Sequence, residues 1–221
     1  MHAASVCLGQ ILAAQVRYGI PDNLLLAIGL QEAGRQIGGK LTVWPWTANS
    51  HGKGAFFGSK AALESWVRSK QATGTRSIDV GCMQINQKWH AGQFASLEEA
   101  TDPAANVDYA ARYLRGLYAE TGDWWQAAGR YHSSTEQYKD LYLAKLAQNQ
   151  QIAQKHQDRF RAEAQAGRSL AQTDSGPSTP LPGINWSADI TGAGSLRQSG
   201  FVSIYSAAPL KALLPAYGEV N

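Results

Sequence analysis

A chain of 221 residues, 44% of them hydrophobic, is long enough for one sizeable core with an appended segment, and its apolar content excludes general disorder. A net charge of +3 and a pI near 8.8 suit approach to an anionic polymer but are too weak to argue for nucleic acid. No apolar run approaches the length needed to span a bilayer, so no transmembrane segment is expected.

Residues 6–18 have helical periodicity, broken by Gly19-Ile20-Pro21. Pro21 suits the first turn of a second helix that stops near Gly34. Residues 35–58, rich in Gly, Trp and Thr, read as a long loop or short hairpin over one face of the domain. Residues 59–72 form a helix with Ala62, Leu63, Trp66 and Val67 on one side. Residues 78–89 are apolar and compact. Asp102-Pro103 starts a helix carrying Val107, Ala110, Ala111, Leu114 and Leu117, stopped by Gly122. Asp123 offers an N-cap for residues 124–131, and residues 135–166 are one more helical stretch. Residues 1–166 therefore read as a mainly α domain. Residues 167–221 read as a Gly/Pro/Ser-rich linker and a flexible or loosely packed C-terminal extension with apolar clusters at 201–205 and 209–215. The start, Met1-His2-Ala3-Ala4-Ser5, shows no signal peptide and reads as a mature exported chain with an added initiator Met.

Glu32 is the first candidate for chemistry. With Leu25 and Ile28 it is spaced i, i+3, i+7, so its carboxyl group continues an apolar stripe. Burial disfavours the ionised form and raises the pKa, which suits a general acid near neutral pH. The plainer alternative is a Glu at a helix end that bends out to solvent. Asp79 is the nearby candidate for a second carboxylate; an Asp two residues before Gly81 more often caps a turn. Trp44-Pro45-Trp46 offers an indole, Trp46, to a sugar face or anchors a loop. His51, His90 and His132 match no metal-ligand spacing, and no metal or cofactor is expected. Cys7 and Cys82 form no CxxC pair. They close one long disulfide loop in an oxidising compartment, or are two buried free thiols.

The ordered set Glu32, Ser77-Ile78-Asp79-Val80-Gly81-Cys82-Met83-Gln84-Ile85-Asn86, Asp102-Pro103-Ala104-Ala105-Asn106, Ala110-Ala111-Arg112-Tyr113-Leu114 and Ala127-Ala128-Gly129-Arg130-Tyr131-His132-Ser133 resembles the soluble lytic transglycosylase family. The resemblance covers about residues 6–146. It implies a lysozyme-like fold that cleaves bacterial peptidoglycan, with Glu32 as sole catalytic acid/base. It puts Gly81, Met83 and Gln84 on the turn lining the sugar groove, and Tyr131 on the tyrosine that holds the catalytic carboxyl. Three departures stand out: Ala33 for Ser, Cys82 for Leu, and His132 for Asn. Members with this Cys often carry another near the first helix, which favours a Cys7–Cys82 bridge.

Two carboxylates normally flank a scissile glycosidic bond. One suffices when the N-acetyl group of N-acetylmuramic acid attacks its own anomeric carbon and the C6 hydroxyl then closes a 1,6-anhydro ring. The resemblance thus implies cleavage of the MurNAc-GlcNAc β-1,4 bond in the periplasm. It also suggests local wall openings for a flagellum or secretion machine, with a flagellar rod or secretion-system protein met by the C-terminal tail. The alternatives are a hydrolytic goose-type lysozyme with Asp79 activating water, and a catalytically inactive glycan-binding assembly protein.

Overall fold

The structure is a computed structural model that describes residues 2–173. The expected tail, with its apolar clusters at 201–205 and 209–215, lies outside the described residues. Among the described residues helices dominate, as the periodicity predicts.

Helix α1 (His2–Arg17) is followed by a corner in which Asp22 and Asn23 both take left-handed backbone, φ 56° and 55°. These two residues break the chain after Pro21, so α2 opens only at Leu24 (Leu24–Ala33), and Pro21 lies outside its first turn. All ten residues of α2 are buried. The expected apolar stripe is therefore a core rod, buried around its whole circumference, with Gln31 and Glu32 as polar members of its last turn. Gly29 allows α1 to pack against it, since a Cβ there would stand 2.7 Å from Ile11 Cδ1. Gly34 ends the helix in extended backbone (φ −62°, ψ 131°) instead of the left-handed stop expected, and a Cβ there would strike the Leu30 carbonyl oxygen.

The chain leaves α2 directly into a hairpin, β1 (Gly34–Ile37) with β2 (Lys40–Val43), in the register Gly34↔Val43. A second hairpin, β3 (Thr47–Ser50) with β4 (Lys53–Phe56), starts a four-stranded sheet completed by β5 (Asp79–Val80) and β6 (Ile85–Asn86) in the order β4-β3-β5-β6. The segment expected as one loop or hairpin is thus two hairpins. Helix α3 (Lys60–Ala72) lays Leu63 and Val67 on this sheet. With Ala48, Ile78, Val80 and Ala100 they form a small apolar cluster apart from the main core.

Two short helices, α4 (Gln87–His90) and α5 (Leu97–Ala100), lead to α6 (Pro103–Thr121). Asp102 caps α6 by accepting from the Ala104 and Ala105 amides, and left-handed Gly122 closes it. Asp123 caps α7 (Trp124–His132). The stretch 135–166 is not one helix. It breaks at His156 into α8 (Glu136–Lys155) and α9 (Gln157–Thr173), and α9 folds back on α1, burying Phe160 and Ala164. Helix α9 runs through the boundary expected at residue 166.

Cys7 of α1 is bonded to Cys82, in the turn between β5 and β6, with Cα atoms 5.8 Å apart. The bridge closes a loop of sequence separation 75 and ties the sheet's turn to the first helix. Loop-closure entropy for such a span is on the order of 4 kcal/mol. Replacing both cysteines by alanine should cost about 2–5 kcal/mol, read as a lower Tm in non-reducing calorimetry. An unchanged Tm would mean that the bridge constrains nothing.

Candidate active site

Glu32 stands at the last turn of α2, where the helical body meets the sheet, and is only 8% exposed. Its Oε1 accepts a hydrogen bond of 2.9 Å from the Tyr142 hydroxyl of α8. Burial pushes the Glu32 carboxyl well above the usual carboxylate range; the Tyr142 hydrogen bond pulls it back in part, and the charge of Asp79 adds to the rise. Among the described residues its second oxygen makes no hydrogen bond. Tyr142 is itself fixed: its carbonyl accepts from Gln31 Nε2 at 3.1 Å, and Gln31 Oε1 accepts from Asn149 Nδ2 at 3.0 Å. This clasp joins α8 to α2 on either side of the carboxyl group.

Asp79 is a strand residue of β5, not a turn cap, and is 4% exposed. Asn86 Nδ2 donates to its Oδ1 at 2.7 Å, and Asn49 lies opposite it in the β3–β5 register. Burial pushes the Asp79 carboxyl up to about 8, against a smaller opposing pull from the Asn86 hydrogen bond. Asp79 is therefore largely neutral at pH 7. Among the described residues, Asn49 Oδ1 and Gln84 Oε1 are buried acceptors without a protein donor.

The turn from Gly81 to Gln84 is held from beneath. Gly81 has φ 81°, and any Cβ would meet the Asn106 amide at 2.7–3.0 Å. Fully buried Asn106 accepts from the Met83 amide (2.9 Å) and donates to the carbonyls of Val80 (3.0 Å) and Ala100 (2.9 Å). Gln84 holds φ 47°, an uncommon conformation for a residue with a side chain, and its Nε2 donates to the Gly81 and Thr47 carbonyls.

Several expectations are corrected here. Tyr131 does not hold Glu32; it is fully buried, and its hydroxyl donates to the Met83 carbonyl at 3.0 Å. Tyr142 makes the contact expected of Tyr131, because α8, and not α7, brings a hydroxyl to the end of α2. Met83 offers nothing to a ligand: its side chain is in the core, and its amide and carbonyl are taken by Asn106 and Tyr131. Gly81 shapes the turn, its amide donating to Thr47 and its carbonyl accepting from Gln84. His132 lies flat on Tyr142, with ring centroids 4.3 Å apart at 8°, and burial lowers its pKa to about 4, so the imidazole is neutral. Trp46 is partly buried against the second apolar cluster.

Tyr142 and Asn149 went unread in the sequence. They lie on the buried face of α8 with Lys139, Leu146 and Ala153, and a polar Asn in that stripe is the same signal that marked Glu32.

Residues 60–158 match the family model described as Transglycosylase SLT domain. This match supports membership of the soluble lytic transglycosylase family. The match takes in Asp79, the Gly81–Gln84 turn, Asn106, Tyr131, His132 and Tyr142, while Glu32 precedes it. No curated protein and no solved structure matches. The SLT domain is lysozyme-like, in accord with a mainly helical body carrying a small sheet. Membership supports lytic transglycosylase activity on peptidoglycan in general. Among the described residues no helix is long and apolar enough to cross a membrane.

Two outcomes follow for the carboxyl groups. Between about pH 4 and pH 8 folded Asp79 keeps a proton that the unfolded chain gives up, so its contribution to stability is full at low pH and is lost as pH rises through about 8. Asp79→Asn should flatten the fall in Tm across that window; an unaltered pH profile of Tm would contradict the assignment. Tyr142→Phe removes the hydrogen bond that favours ionised Glu32. The alkaline limb of any activity profile should then move to higher pH, with kcat reduced about 10-fold or more. A limb that stays or moves down would show that Tyr142 does not tune the acid.

Proposed function

We propose that the chain is a peptidoglycan lytic transglycosylase in which Glu32 alone moves the proton. The observation that carries this is the pairing of a buried Glu32, oriented by Tyr142, with an Asp79 that is neutral near pH 7. Protonated Glu32 donates to the departing glycosidic oxygen between N-acetylmuramic acid and N-acetylglucosamine. The N-acetyl oxygen of the muramic sugar bonds to its own anomeric carbon as the C1–O bond breaks. Glu32, now a carboxylate, removes the proton from the C6 hydroxyl. The C6 oxygen bonds to C1 and expels the acetamido oxygen, leaving a 1,6-anhydro end. Glu32 regains its proton, and no water is consumed. A raised pKa serves both steps, because the acid is loaded at the start and the carboxylate is a competent base afterwards.

A hydrolase would need Asp79 to activate water. A neutral carboxylic acid tied to Asn86 is a poor base, which favours the anhydro route. Gln84 and Asn49 bring buried acceptor oxygens suited to the N–H of acetamido groups. The Cys7–Cys82 bridge suits an oxidising compartment, and we place the protein in the periplasm. We extend the role to local wall openings for a flagellum or secretion machine, whose contact would be the segment beyond residue 200.

The test is product mass from purified sacculi. Anhydromuropeptides are expected from the native chain and none from a folded Glu32→Gln variant. Reducing ends heavier by one water would establish the hydrolase instead, and undiminished release by the variant would remove Glu32 from the chemistry.

A further inference from the structure

Arg35 is the first charged residue after Glu32, on the strand that leaves α2. Three residues of chain place the two Cα atoms within roughly 10 Å. In the hairpin register Arg35 lies opposite Thr42, while Gly34 lies opposite Val43. Side chains alternate between faces, so Arg35 stands on the face turned away from buried Leu41 and Val43. Its guanidinium lies over the Trp44 ring at 4.8 Å and the Phe56 ring at 5.1 Å. Trp44 is pinned in turn: its indole N–H donates to the Phe57 carbonyl, and its amide donates to Ala33, the neighbour of Glu32.

Among the described residues no carboxylate pairs with Arg35 and its guanidinium donates no hydrogen bond. Such ring contacts hold a guanidinium in place without a hydrogen-bond acceptor and leave its N–H edge for a ligand. That edge is a fork matched to a carboxylate. On the transglycosylase reading, the polymer supplies such groups: each N-acetylmuramic acid carries a peptide stem on its lactyl arm, and the stem bears free carboxylates.

We propose that Arg35, braced on Trp44 and Phe56, is a subsite for a carboxylate of the peptide stem and makes the protein prefer stem-bearing over bare glycan. The inference rests on the transglycosylase reading for the identity of the polymer. Charge-assisted pairing of this kind supports a preference of about ten-fold.

Binding tests it without catalysis. Soluble glycan strands, either stem-bearing or stripped of stems by an amidase and then amidated at the freed lactyl carboxylate, are titrated against the full chain carrying Glu32→Gln. About ten-fold tighter binding of stem-bearing strands is expected. Adding Arg35→Met, which keeps an apolar stem over the rings, should abolish that preference and leave affinity for stripped strands unchanged. Three results would overturn the subsite: no preference in the first variant, a preference that survives Arg35→Met, or equal weakening on both strands, which marks a structural staple only. The reaction is judged separately from products of the native chain. If those lack anhydro ends while stem preference still follows Arg35, the transglycosylase reading falls and the subsite stands.

Discussion

A carboxyl group sealed at the end of a wholly buried helix is the constraint on which the rest of this structure depends. An ionised carboxylate in such a place costs several kcal/mol unless it is paired. No cation pairs with Glu32 among the described residues. The fold instead supplies one neutral donor, the Tyr142 hydroxyl, and burial raises the pKa of the carboxyl group. On the proposed reading, the burial that makes Glu32 expensive to ionise is also what suits it to donate a proton. The same logic applies to Asp79 across the site, where the Asn86 amide is the neutral partner.

Holding those two groups together takes more scaffolding than the groups themselves. The β5–β6 turn is fastened by Asn106 from α6, by Tyr131 from α7 and by the bridge from Cys82 to α1. The Gln31–Tyr142–Asn149 clasp fastens α8 to α2. Helices distant in sequence therefore meet at one turn and one side chain. Most of the residues that family resemblance points to, Gly81, Met83 and Tyr131 among them, act by shaping this turn and offer no free polar atom to a ligand.

The sequence exposed what is local. Helix starts at Asp102-Pro103 and Asp123, the stop at Gly122, and the apolar company of Glu32 all follow from caps and periodicity within one element, and the structure keeps them. Contacts between elements were not legible. Which tyrosine reaches Glu32 depends on how α7 and α8 sit against α2, and neither helix's own pattern encodes that. The two hairpins between residues 34 and 56 were hidden because their strands are four residues long and carry Gly, Thr and Asn, which read locally as loop. The break at His156 was missed because no Gly or Pro marks it; α9 turns there because its apolar face, with Phe160 and Ala164, is buried against α1.

The protonation state of Glu32 itself tests the central claim most directly. Carboxyl carbon shifts of a Glu-labelled chain, assigned by loss of one signal in Glu32→Gln, would follow its titration. A midpoint clearly above the ordinary glutamate range is expected, with the signal still protonated where the exposed glutamates have ionised. A Glu32 midpoint among those of the exposed glutamates would contradict the account.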